Sequence, residues 1–471
     1  MMQPLSIGVV TGGMKNRNHG LARSLASRLM NIERDELKLV LKCGACFFFL
    51  LFGYSLLRPV REALGVEGSM RDLRWLFIVT CGVSLLVTLG FGGLVSKLKN
   101  RRFIPMAFRT VMACLAVFIV LMLLPFGEQA RLYTGYVFYV WLSVVNLLMM
   151  SIFWALMADV WSLGQGKRLF AVIVIGGTLG ALLGSNFVWW LTEHIDPAIQ
   201  MVIAIVMFEC VVQIVSRVQL YESSSQDSLK LMQSTPTNVG GQWADGMKEV
   251  VRSPYLLGIG LYIMLLAVSS TLIYFTQANL VSEASDELNS RIALFAQLDM
   301  WAQLATLLVQ LFVTGHLIKR LGIGFTLTIL PMVTVGGFVL LAWLDNRPGV
   351  EPWQIFGVFA AFSAIHRATR YAVIRPARET LFSVVSDATK YKAKPIVDVF
   401  LYRGGDVLGV RIVALIAGAG WGLAGMAMTA APLAVFWGGL SITLAVAQTR
   451  KSKSMEDLVH QETISGREAS A

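Results

Sequence analysis

The sequence predicts an all-α membrane protein of twelve transmembrane helices, arranged as two pseudo-symmetric six-helix halves of the major-facilitator kind. Three observations lead there. The 471 residues are 56% hydrophobic and only 15% charged, with a mean hydropathy of +0.65, which is too little polar surface to cover a soluble globule of this size. Apolar runs long enough to cross about 30 Å of hydrocarbon recur along the whole chain, and its two parts share a weak internal repeat.

The runs fall at 38–60, 73–95, 103–125, 132–158, 169–191 and 197–219, then at 255–280, 292–316, 324–344, 353–381, 395–419 and 425–447. Residues 1–36 are mixed, polar and basic (Lys15, Arg17, Arg23, Arg28, Arg34) and lack the pattern of a cleaved signal, so they read as a cytoplasmic tail. Residues 37–220 form the first half, 221–253 a cytoplasmic linker, 254–448 the second half and 449–471 a second tail. The linker passes from YESSSQDS through STPTNVGG to WADGMKEVVRSP, whose last part is expected to form a short amphipathic helix.

A net charge of +11 fits either a nucleic-acid binder or a membrane protein whose cytoplasmic loops are marked by lysine and arginine. Basic clusters at Lys97, Lys99, Arg101, Arg102, Lys319, Arg320, Lys390, Lys392 and Lys394 lie between the runs. Placing both termini in the cytoplasm of a bacterial inner membrane puts them all on the cytoplasmic side and removes the need for a nucleic-acid partner.

Asp159 precedes Gly176–Gly177 by the same spacing that separates Asp387 from Gly404–Gly405, and GGLVSKLKNRR answers TGHLIKRLG at nearly the same offset. This supports a parallel duplication. Gly176, Gly180 and Gly184 recur every fourth residue, and Gly405 and Gly409 follow at the related place; such stripes are expected to pack helix against helix. The five cysteines (Cys43, Cys46, Cys81, Cys114, Cys210) all lie in apolar runs and read as packing residues. The five histidines are scattered and Gly164-Gln165-Gly166-Lys167-Arg168 lacks the spacing of a phosphate-binding loop, so no cofactor, metal or enzyme chemistry is expected.

Charge inside the runs points to function. An ionised side chain near mid-membrane costs roughly 2.5–3.5 kcal/mol on insertion scales, so it persists where it is paired or lines water. The pattern R-P-x-R-E occurs twice, as Arg58-Pro59-Val60-Arg61-Glu62 and Arg375-Pro376-Ala377-Arg378-Glu379. Pairing of the first arginine with the glutamate four residues on would leave Arg61 and Arg378 free as ligand contacts; the alternative is that both motifs snorkel to the interface. The prolines are expected to disturb the turns before them. Arg367 and Arg370 lie roughly 21–26 Å into the tenth run, too deep for both to snorkel. The substrate-binding candidates are therefore Arg58, Arg61, Arg367, Arg370, Arg375 and Arg378, and the gating or coupling candidates Glu62, Asp159, Asp299 and Glu379. Arg403 and Asp406 are spaced to form a structural pair, and Glu209 is a weaker acid candidate. Several guanidinium forks on one wall suit carboxylate or phosphate.

At these motifs the sequence resembles the ATP/ADP translocase family, a distant branch of the major-facilitator architecture. LLRPVREALGV (56–66) is similar to that family's first-helix segment, with Arg61 at its functional lysine, and RYAVIRPARETLFSVVSDATKYKAKPIVDV (370–399) to its tenth-helix segment, with Arg378-Glu379 at its Lys-Glu. AQLDMWAQLATLLVQLFVTGHLIKRLG (296–322) and Ala158-Asp159-Val160-Trp161 follow its eighth- and fourth-helix patterns. The family's lysines are arginines here, and its acid-and-lysine seventh helix is Leu272-Ile273-Tyr274-Phe275-Thr276-Gln277. The resemblance implies transport of a nucleotide or another phosphorylated solute.

The expectation is thus a monomeric, alternating-access carrier of a small anion such as ATP or ADP, surrounded by lipid. Its alternatives are a proton-coupled transporter of another organic anion and a non-transporting membrane sensor.

Overall fold

In a computed structural model, the structure describes residues 34–95, 103–125, 127–192, 194–225, 243–312, 314–386, 389 and 393–468. The apolar runs become long helices in the expected order: α1 (Arg34–Gly65), α2 (Met70–Val95), α3 (Phe103–Leu123), α4 (Glu128–Val160), α5 (Leu163–Leu191) and α6 (Pro197–Ser225). After the linker come α7 (Pro254–Ala284), α8 (Leu288–Phe312) and α9 (Thr314–Asp345), the last bent where Gly322 takes a φ of 71°. Helix α10 runs through Pro352–Ala368, a π-helical turn at Thr369–Ile374 and Arg375–Leu381. Helix α11 opens with a π-helical turn at Ile396–Leu401 and continues as Tyr402–Gly418, and α12 is Gly422–Glu468.

Ten of these helices are long and apolar enough by themselves to cross a membrane. The other two, α10 and α11, carry the arginine-rich stretches and the π turns. Several boundaries depart from expectation: α1 continues to Gly65, α6 to Ser225, α9 starts at Thr314, and α12 runs helically to Glu468 through most of the expected tail. The basic clusters at 97–102, 390 and 392 fall outside the described residues, as do most of 1–36 and the middle of the linker.

Proline accounts for one of the breaks. Pro376 has no N–H to donate to residue 372 and its ring crowds that carbonyl; the preceding turn widens, and the Arg375 N–H donates to the Arg370 carbonyl five residues back. Helix α1, by contrast, passes through Pro59 without a break.

Packing repeats between the halves. Helix α1 lies chiefly against α5 and α6, and α7 against α11 and α12, while α5 meets α8 and α2 meets α11 across the middle. A Cβ added at Gly176, Gly180 or Gly184 would come under 3.0 Å from the carbonyl oxygens of Gly44, Phe48 and Phe52 in α1. At the related place, one at Gly405 or Gly409 would press on Met264 and Thr271 of α7. The glycine stripes are therefore helix–helix contacts in both halves. Cys43 and Cys46 are buried in the same packing. The linker's last part forms a short helix, Trp243–Arg252, whose Val250 is buried against α7 and the start of α11.

Because the obstruction at Gly180 is backbone, Gly180→Val is expected to cost more than about 2 kcal/mol and to lower both the membrane-inserted yield and the unfolding temperature in detergent. Gly336→Ala, with open space around it, should leave both unchanged.

Candidate functional site

The intramembrane charges gather at two levels. The first is a network that ties the halves together towards the end of the bundle away from the chain termini. Asp299, on α8 and 4% exposed, stands between two guanidinium groups: Arg58 Nη1 of α1 lies 3.0 Å from its Oδ1, and Arg367 Nη1 of α10 donates to the same oxygen. Arg367 Nη2 donates to Gln277 Oε1 of α7 at 2.7 Å.

Beside it, Arg61 pairs with its neighbour Glu62, donates to Ser143 Oγ of α4 at 3.0 Å and lies over the Tyr139 ring at 4.9 Å. Tyr274 of α7 donates to Glu62 Oε2 at 2.7 Å, and its hydroxyl meets that of Tyr139 at 2.6 Å. Arg291 of α8 adds a bond to the Val66 carbonyl just beyond α1. Arg61 was expected to be left free as a ligand contact. It is held by an adjacent acid and a hydroxyl and lines neither of the hollows described next.

The second level holds two adjoining hollows. The larger, about 450 Å³, lies between α2 and α4 on one side and α7, α10 and α11 on the other. Arg370, Arg375, Arg378 and Arg403 reach it, with Tyr371 and Tyr402 between them. The smaller, about 200 Å³, reaches from Arg370, Tyr371, Tyr402 and Arg403, which line both, up to Arg58 and Arg367. His366 also borders it, buried and with Nε2 unpartnered.

The π turn in α10 shapes this wall. In an α-helix, at about 100° per residue, positions five apart diverge by about 140°. The wider i→i+5 bonding of a π turn brings them nearly over one another, so Arg370 and Arg375 address one space. Arg370 donates to Ser270 Oγ at 2.6 Å and to the Tyr402 hydroxyl, with its guanidinium 5.3 Å and 5.6 Å from the Tyr371 and Tyr402 rings.

The expected pairing inside the second R-P-x-R-E motif does not form. Glu379 instead accepts from Lys394 at 2.6 Å, and Arg378 lies 3.4 Å from Glu379 and from Asp398 of α11. The chain folding back from α10 into α11 brings a lysine nearer than Arg375, which is exposed to the hollow. Arg403 and Asp406 do pair, at 3.0 Å. Asp159 sits exposed in the last turn of α4 and lines neither hollow, and Glu209 faces Arg109 and Gln213 on the outer side of α6.

Tyr139, Ser143, Ser270, Tyr274, Gln277 and Tyr402 escaped sequence reasoning. Each is an uncharged polar residue within an apolar run, and only the departure noted at 272–277 drew attention to two of them.

No family model matches the chain. It is 23% identical over 451 residues to ADP,ATP carrier protein 1 of Chlamydia trachomatis, covering 82% of this chain and 84% of that protein. The chain resembles the ADP,ATP carrier proteins. The corresponding Chlamydia pneumoniae protein is 22% identical over 82% of this chain and 86% of its own, and the chloroplastic ADP,ATP carrier protein 2 of Arabidopsis thaliana 19% over 82% and 70%. Among solved structures, the nucleoside transporter NupG superposes with a TM-score of 0.50 at 14% identity over 88% of this chain and 99% of that one. The peptide transporter POT does so with a TM-score of 0.56 at 13% identity over 87% and 95%. The fold is thus that of a multi-pass, major-facilitator-type transporter.

Asp299→Asn removes the shared counter-charge of Arg58 and Arg367 and is expected to cost on the order of 3 kcal/mol, read as a lower unfolding temperature of the purified protein. Asp286→Asn, which removes a fully exposed carboxylate from beside the buried Arg291, should shift it by less than about 1 kcal/mol.

Proposed function

We propose that the protein is an alternating-access transporter of nucleotides that exchanges ATP for ADP. The observation that carries this reading is the convergence of Arg370, Arg375, Arg378 and Arg403 on one hollow between the halves. Guanidinium forks bind phosphate bidentately, and a space of about 450 Å³ lies within the range of small-molecule sites. The likeness to proteins named ADP,ATP carriers over most of the chain supports the same cargo.

The division into a network on one side and a hollow on the other supports a carrier caught with one gate shut. Arg58, Glu62, Asp299 and Arg367 join α1 to α7, α8 and α10 there, and opening that side requires Asp299 to release Arg58 and Glu62 to release Tyr274. With the termini in the cytoplasm of an inner membrane, as the basic loops favour, the hollow faces inward in this state. The unit is a monomer, and the protein is a carrier rather than an enzyme. Glu379 with Lys394 and Arg378 closes the cytoplasmic end when the halves rock over.

A second reading rests on the carboxylates buried inside the bundle, among them Glu62, Asp299 and Asp406: a proton-coupled carrier of another organic anion would carry its proton on such a group.

Proteoliposomes decide between them. Labelled ATP is expected to enter only vesicles preloaded with ADP or ATP, and Arg370→Ala or Arg378→Ala should reduce that uptake at least tenfold while insertion is retained. Uptake that follows an imposed proton gradient and ignores nucleotides would establish the second reading instead.

A further inference from the structure

The larger hollow is chemically lopsided. All its charged lining residues come from α10 and α11, while α2 and α4 face them with Thr88, Leu147, Leu148 and Ser151. Within the charged wall, Arg378 has Asp398 nearby and Arg403 has Asp406. Arg370 donates to the hydroxyls of Ser270 and Tyr402, and neither it nor Arg375 forms a direct ion pair with an acid among the described residues, Asp406 and Asp398 acting on them from farther off. These two, aligned by the π turn, are the guanidinium groups left without a directly paired counter-ion.

On the opposite wall the hydroxyl protons are already committed. Thr88 Oγ1 donates to the Ser84 carbonyl at 2.7 Å and Ser151 Oγ to the Leu147 carbonyl at 2.8 Å. Both oxygens therefore offer lone pairs and act as acceptors, between two leucines that suit a flat apolar face.

We infer that a nucleotide lies across this hollow with a fixed polarity. Its phosphates rest on Arg370 and Arg375 of the C-terminal half, and its nucleoside part rests on Thr88, Leu147, Leu148 and Ser151 of the N-terminal half. The assignment depends on the nucleotide reading above and adds which half recognises which part of the cargo. Helices α2 and α4 choose the base and sugar, accepting from a ribose hydroxyl or an exocyclic amine. Helix α10 chooses the number of phosphates.

The test is competition against saturating labelled ATP uptake into ADP-loaded proteoliposomes. One series of competitors varies the phosphates (AMP, ADP, ATP) and one varies the base (ADP, GDP, UDP). Arg375→Gln is expected to shrink the preference for ADP over AMP at least tenfold and to leave the ADP-to-UDP ratio within twofold, with Arg375→Lys recovering part of the loss. Leu148→Ala and Ser151→Val should do the reverse. Residual ATP uptake in each variant shows that the protein is folded; Arg375 is exposed and Ser151 only partly buried, so neither substitution opens the core. Variants that disturb both series equally, an inverted pattern, or a wild type indifferent to base or to phosphate number would overturn the polarity and leave nucleotide transport standing. A wild type that takes up no ATP with any counter-substrate would overturn the transport reading itself, and the polarity with it.

Discussion

One carboxylate organises the charged interior. Asp299 accepts from Arg58 of one half and Arg367 of the other, and that shared pairing makes it affordable to keep two guanidinium groups among apolar helices. Where it acts, the halves are joined; below it they part around the hollows. The arginines divide along the same line. Arg58, Arg61 and Arg367 are bound to acids in the junction. Arg370 and Arg375 pair directly with none and border open space, where water or an anion can solvate them.

That division also explains how far the sequence could be read. The helices were legible because each apolar run is long, bounded by charge or proline, and has no alternative partner but lipid. The glycine stripes were legible because close helix approach requires glycine at every fourth residue, whichever helix supplies the other backbone. Charge inside the runs marked α1, α8 and α10, which meet in the junction at Asp299. Spacing along one helix named Arg403 with Asp406, but the partners supplied by other segments were not legible. The same spacing suggested Arg375 with Glu379, but Lys394, from the chain beyond, reaches Glu379 first. Arg61 was read as a cargo contact because Arg58, four residues before Glu62, was expected to occupy that acid, yet Arg61 also reaches Glu62, together with Ser143 and Tyr139. Tyr139, Ser143, Ser270 and Tyr402 stayed hidden for a simpler reason: an uncharged polar residue in an apolar run leaves no mark until a charged group is seen to touch it.

The π turn in α10 belongs to the same account. Pro376 could be named from the sequence as a disturbance, whereas the direction of the resulting twist could not. Its consequence is positional. A regular helix would send Arg370 and Arg375 to different neighbours, and the wider turn sends both to one space. Backbone hydrogen bonding thus decides where the uncompensated charge lies.

A last step connects the lopsided hollow to the direction of coupling. Two guanidinium ions about 8 Å apart repel by about 2 kcal/mol at an effective dielectric of ~20, and shutting the hollow around Arg370, Arg375, Arg378 and Arg403 strengthens that repulsion by excluding water. A polyphosphate reverses its sign, because each phosphate oxygen attracts the arginines that otherwise repel one another. The loaded site can then close where the empty one resists. Because the opposing wall of Thr88, Leu147, Leu148 and Ser151 is uncharged, it adds no repulsion of its own as the halves approach. On the exchange reading proposed above, confining the cations to one half makes the return of an empty carrier costly without making the passage of a loaded one so, and that difference would be the physical content of obligatory exchange.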